Sequence, residues 1–141
     1  MSRSTSRTAV SAAYATACVL LLVQTAWVAF WLLAIPVVWA GWWDGHVAGL
    51  DGRNIVAHMR LYLLPVAFIY LASIPAALVC LLRGRKTALW IYLFSVSLHA
   101  AIWFNLLTNP YYDGRLSGIV LALETAIAFL LYLLVLWRRL H

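Results

Sequence analysis

Residues 116–137 read LSGIVLALETAIAFLLYLLVLW, an unbroken apolar run that holds one charged side chain, Glu124. About 20 residues of helix cross roughly 30 Å of hydrocarbon, where the backbone has no hydrogen-bond partner except itself. The run is therefore read as a membrane span. Glu124 is also the only glutamate of the chain. An ionised carboxylate in hydrocarbon is costly, so intramembrane acids face a partner, a cavity or a proton path.

The rest of the chain has the same character. Its 141 residues are 66% hydrophobic and only 10% charged, with a mean hydropathy of +0.93, which excludes a soluble domain of this size. Working outward from 116–137, three further stretches are long enough to span. After a tail of residues 1–8, the spans are expected at about 9–39, 56–82, 87–107 and 116–138. The first exceeds what a bilayer needs and carries Pro36, so it must tilt, bend or project. The second contains Pro65 and Pro75, each of which removes an internal hydrogen bond and predicts a kink. The connections GWWDGHVAGLDGRN, RGRK and TNPYYDGR are short, and short connections make neighbouring helices antiparallel. The expected fold is all-α, an integral membrane up-down bundle of four transmembrane helices in one domain.

Basic residues suggest the orientation. Arg3, Arg7, Arg83, Arg85, Lys86, Arg138 and Arg139 fall at one set of helix ends, whereas Asp44, Asp51 and Asp113 fall at the other with Arg53, Arg60 and Arg115. By the positive-inside rule both termini are expected in the cytoplasm, of an inner (plasma) membrane. The net charge of +6 is then a topology signal, with no nucleic-acid partner implied. Trp39, Trp42, Trp43, Tyr111 and Tyr112 fit an outer aromatic belt, and Trp90 and Trp137 an inner one. Arg3 and Arg7 before an apolar run resemble a signal peptide, but the run is too long for its apolar core and is read as an uncleaved anchor. Cys18 and Cys80 lack CxxC spacing and read as packed thiols.

Polar residues inside the spans are the candidates for chemistry. Counting inward at 1.5 Å per residue, Glu124 lies roughly 10 Å deep, His99 roughly 13 Å and Arg60 roughly 6 Å, all in the outer half. Asn105 is nearer the surface, and Ser95 lies one helical turn below His99. An arginine can snorkel, so Arg60 is expected to reach Glu124 if the second and fourth spans are neighbours. An Arg60/His99/Glu124 cluster with Asn105 and Ser95 would bind a polar group or relay protons. The competing interpretation is a satisfied ion pair or interhelical contact, contributing on average about 0.6 kcal/mol per hydrogen bond. Gly118, Ala122 and Ala126 recur every four residues and form a packing seam, from which Glu124 points away. Gln24, Trp27 and Trp31 share a face of the first span and are expected either to pack or to line a lipid or quinone groove.

Other templates are weaker. His46, His58, His99 and His141 do not pair at one depth, as axial haem ligands must. Asp44, Asp51 and His46 lack a third firm ligand, so no metal site is assigned. No GxSxG, HExxH, P-loop or CxxC is present, and no cofactor is indicated. Size and helix count resemble those of the membrane-associated eicosanoid and glutathione metabolism family. That resemblance is of architecture only, because NIVAHMRLYLLP does not reproduce the family's polar pattern. The expectation is a small non-catalytic inner-membrane protein, an accessory or assembly subunit contacting lipids and other membrane subunits or copies of itself. The alternative is a small transporter or a lipid- or quinone-handling protein using the Glu124/His99/Arg60 cluster.

Overall fold

The computed structural model describes residues 3–47, 49–137 and 139–140, with side chains from residue 8 onward. Helix α1 covers Arg3–Trp39, a two-strand hairpin follows with β1 at His46–Val47 and β2 at Leu50–Asp51, and a short helix α2 covers Gly52–Ala57. Helices α3 (Leu63–Leu82), α4 (Thr87–Leu106) and α5 (Arg115–Leu136) complete the chain. Four of the helices, with α1 counted from Thr8, are long and apolar enough to cross a membrane. Together they make an all-α, multi-pass bundle. Arg138 and His141 lie outside the described residues, as do the side chains of Arg3 and Arg7.

The four long helices form a closed ring. Helix α1 packs on α3 and α5, and α4 packs on the same two. The pairs α1/α4 and α3/α5 therefore face each other across the diagonals. Gly41 (φ 73°) and Gly84 (φ 67°) end α1 and α3 in the left-handed conformation that a helix stop requires. At the first stop, Gly41 N–H donates to Val38 and Trp42 N–H to Val37; at the second, Gly84 N–H donates to Leu81 and Arg85 N–H to Cys80.

Helix α1 continues out to Arg3, since extending an existing helix avoids the cost of nucleation, and its stretch apolar enough to span begins at Thr8, next to the expected residue 9. Two features of the second span differ from the sequence expectation. The second span starts at Leu63 and not near 56, and α2 is a separate element. Pro65 does not kink that span. It sits in the first turn of α3, where a backbone N–H has no intrahelical partner to lose.

Along the bundle the interior changes character. Towards the end that holds Arg83, Arg85 and Arg139, it is a dry core of Leu21, Ile74, Ala77, Leu81, Ile127, Leu131 and Leu134, all fully buried. Towards the opposite end, α2 and the hairpin close over the helices. Gly52 N–H donates to the Gly45 carbonyl at 3.1 Å, and a Cβ on Gly52 would lie 2.5 Å from that same oxygen. Asn109 Nδ2 donates to the Ile55 carbonyl at 3.0 Å, which fastens α2 to the loop between α4 and α5. Asp51 caps α2, accepting from the Asn54 N–H at 3.1 Å and from Asn54 Nδ2 at 2.7 Å.

Two outcomes are expected. Gly52→Ala should loosen the lid formed by α2, raising amide hydrogen exchange across residues 50–57 at least tenfold with α3–α5 unchanged, because the added methyl meets backbone. The two Asn54 hydrogen bonds, backbone first, hold the Asp51 carboxyl below its ordinary 3.8. Its stabilisation is thus complete above that value and lost as pH falls through the lowered one. The same exchange measurement should show the lid opening in acid below about pH 4, and an Asp51→Asn variant should lack that step.

Candidate functional site

Between the dry core and the lid, each long helix turns one polar side chain inward at the same level. On α1 the inward stripe is Ala17, Leu21, Gln24, Val28 and Leu32; on α5 it passes through Glu124, Ile127, Leu131 and Leu134. Spacings of three and four keep these residues on one face. Glu124 is wholly buried. Its Oε1 accepts from Gln24 Nε2 and from the Tyr70 hydroxyl, each at 2.6 Å. Its Oε2 is 2.7 Å from His99 Nδ1.

The second layer of bonds orients the first. Gln24 Oε1 accepts from the Tyr92 hydroxyl at 2.6 Å, and Gln24 Nε2 also donates to Tyr70 Oη at 3.2 Å. The Tyr70 and His99 rings stack with centroids 5.2 Å apart and planes 18° off parallel. Both diagonals of the ring are thereby bridged, α1 to α4 by Gln24 and Tyr92, and α3 to α5 by Tyr70 and Glu124. The Tyr70 hydroxyl and the Gln24 amide donate to the carboxylate, the arrangement that suits an acceptor-only group, while the Tyr92 hydroxyl holds the Gln24 oxygen. Trp103 Nε1 is the one buried side-chain nitrogen or oxygen left unpaired among the described residues. The Glu124 node is complete in itself.

Above the node is a cavity of about 190 Å³. Its walls are mostly apolar, with Trp27, Trp31 and Ile35 of α1, Ile102 and Leu106 of α4, Leu116 and Val120 of α5, and Ile55, Val56 and Met59 as the roof; Tyr112 and Ser117, whose hydroxyls bond to each other, also line it. Its floor is Tyr70 and His99. His99 uses Nδ1 for Glu124, and its Nε2 bonds to no described residue. His99 as a residue borders the cavity. When Glu124 takes the Nδ1 proton in its hydrogen bond, Nε2 carries a lone pair; a protonated ring carries N–H there. An imidazole nitrogen can accept a hydrogen bond through its lone pair or donate one through N–H, according to the tautomer.

The residues singled out in the sequence divide among three places. Glu124 and His99 meet, while Ser95 lies beneath them, its hydroxyl 2.7 Å from Ser73 Oγ. Arg60 is not in the cluster. It is exposed, at the lid end of the bundle, and its Nη1 donates to Tyr62 Oη at 3.2 Å, whose hydroxyl in turn donates to Asn105 Oδ1. The reason is local: the break before Leu63 puts Arg60 outside the helix, at the exposed lid end, and Tyr70, further along α3, takes the place beside Glu124. Gln24 leaves the groove expected of it, since its amide turns to Glu124; Trp27 and Trp31 do line the cavity, edge to face with centroids 5.9 Å apart. Gly118, Ala122 and Ala126 face outward, and a Cβ on Gly118 would meet nothing within 4 Å.

Tyr70, Tyr92, Ser73 and Asn109 were not picked out by sequence reasoning. A signal existed for the tyrosines, which sit well inside their spans and not at the ends where an aromatic belt lies. Compared with known proteins, the chain matches no family model, no curated protein and no solved structure.

The node makes a graded stability prediction. Glu124→Leu strands Gln24, Tyr70 and His99, at about 1–3 kcal/mol for each buried group left unpaired. Glu124→Gln keeps the shape and one acceptor. Denaturant titration in detergent should therefore show a large loss for the leucine variant and a loss less than half as large for glutamine.

Proposed function

We propose that this chain is a small inner-membrane protein that takes the polar end of an apolar molecule from the bilayer and holds it on His99, beneath the α2 lid. The observation carrying the proposal is a histidine at the floor of a largely apolar cavity, its Nδ1 held by a wholly buried carboxylate and its Nε2 bonded to no described residue. A structural ion pair gains nothing from setting its histidine at the edge of a cavity. Apolar walls with few convergent polar groups are the usual form of a small-molecule site.

Size and chemistry narrow the ligand. An apolar cavity of about 150 Å³ accepts a benzene ring, so this one takes a single ring or a short branched end, with the remainder of a longer molecule lying along the helices. The polar atom must donate to a neutral imidazole or accept from a protonated one. A hydroxyl or a ring carbonyl does so, which makes a quinol or quinone, or a hydroxylated lipid, the best-fitting class. Trp27, Trp31 and Tyr70 offer aromatic faces to such a ring.

A second reading rests on a different observation. The Gly118, Ala122 and Ala126 face of α5 is bare in the single chain, which supports close approach by a helix of a larger complex or of a second copy, as an accessory or assembly subunit would require. The basic residues at the end opposite the lid support cytoplasmic termini.

The test uses protein purified in mild detergent. Titration with a short-chain ubiquinol analogue should quench the fluorescence of Trp27 and Trp31 saturably. His99→Phe should weaken binding at least tenfold, and Val120→Phe, which fills the cavity, should abolish it. Quenching that persists unchanged in both variants would sink the proposal. Recovery of a stoichiometric protein partner, with no quenching by the analogue, would favour the subunit reading.

A further inference from the structure

The end of the bundle away from the lid carries a second concave site. It has a volume of about 390 Å³ and is lined by Tyr14 of α1, Leu82 of α3, Arg83, Gly84 and Arg85 of the α3–α4 turn, and Arg139 after α5. Three arginines thus line one basin. Each stands on an ordered backbone: Arg83 N–H donates to Val79, Arg85 N–H to Cys80 and Arg139 N–H to Leu134. The Arg139 guanidinium carbon lies 5.4 Å from the centroid of the Tyr14 ring, within cation–π range. Tyr14 is itself placed by its hydroxyl, which donates to the Leu81 carbonyl at 3.4 Å. Leu140, next to Arg139, is buried.

Among the described residues no aspartate or glutamate pairs with these arginines. The acids of the chain are Asp44, Asp51, Asp113 and Glu124; the aspartates lie at the lid end, and Glu124 is enclosed in the node. Ion pairs among the described residues join His46 to Asp44, His99 to Glu124 and Arg115 to Asp113, and none involves a basin arginine. The basin also opens onto apolar surface. Leu82, Val79, Leu136 and Trp137 are exposed at this level, where acyl chains would lie.

We infer that this basin binds the phosphate of an anionic phospholipid headgroup, with Arg83, Arg85 and Arg139 around the phosphodiester and the acyl chains against the exposed leucines. Arginine suits the role because its planar fork matches phosphate oxygens. Basic pockets at one face of a membrane bundle recognise anionic headgroups by this chemistry. The site is independent of the His99 cavity, which lies at the other end of the molecule.

Native mass spectrometry of the detergent-purified protein tests the assignment, with dioctanoyl phosphatidylglycerol and dioctanoyl phosphatidylcholine as probes. The phosphatidylglycerol probe is expected to bind saturably and at least tenfold tighter than phosphatidylcholine. R139Q, and separately R83Q with R85Q, should weaken it at least fivefold, while K86Q, which removes an equal charge outside the basin, should leave it within twofold. Equal binding of the two lipids, measured on the unaltered protein and so independent of variant folding, would overturn the site. So would an equal loss in K86Q, since that is diffuse attraction. Displacement of the lipid by inorganic phosphate at matching concentration would mark a free-anion site and overturn the lipid assignment.

Discussion

Four helices meet on one carboxylate. Glu124 accepts from Gln24 of α1, Tyr70 of α3 and His99 of α4, and the rest of the bundle is arranged around that requirement. Hydrogen bonds between membrane helices average only about 0.6 kcal/mol, so the node's importance lies less in total stability than in selection. Sliding α5 by one turn moves Glu124 roughly 5.4 Å along the axis and strands three buried groups at once. Polar groups buried in a helical assembly are best attested as setters of register. Here one acid can set the register of α5 against three neighbours.

That node also separates two environments. Below it, the Ser73 and Ser95 hydroxyls pair with each other and give way to packed leucines and isoleucines; above it, the aromatic side chains of α1 and the lid line a cavity. His99 belongs to both, bonded down to Glu124 and bordering the cavity above. A histidine held in this way has its ring orientation and one proton defined by the partner below, leaving the other nitrogen for whatever arrives above. Few hydrogen bonds hold the lid: those of Asp51 within it, that of Gly52 to Gly45, and the long-range one from Asn109 to Ile55. Elements held like this sit at the low-stability end of a fold, where access to a site is controlled.

Much of the architecture is legible along the chain. The spans around 87–107 and 116–138 agree with α4 and α5 to within a residue or two, because hydrocarbon allows so few backbone solutions. The break at 58–62 was harder to see. Val56, Met59, Leu61 and Leu64 continue the apolar pattern, and only the position of Pro65 in a first turn and the Asp51 cap mark where one helix ends and another begins. Which face of each helix turns inward was also hidden. Lipid-facing residues such as Leu22, Leu33 and Ile119 are as apolar as the core, so hydrophobicity does not distinguish the two in a membrane.

By itself, the sequence determined the class and the membrane-spanning helices, and it identified Glu124 and His99 as residues needing partners, since burying a lone acid in hydrocarbon is too costly to be incidental. Only the tertiary structure decided which partners those are. Arg60, close in depth by counting, lies outside the second span at the exposed lid end, while Gln24, a hundred residues away in sequence, is 2.6 Å from the carboxylate. Depth is a property of one helix and can be counted. Neighbourhood belongs to the order in which four helices close a ring, and their spacing along the chain does not encode it.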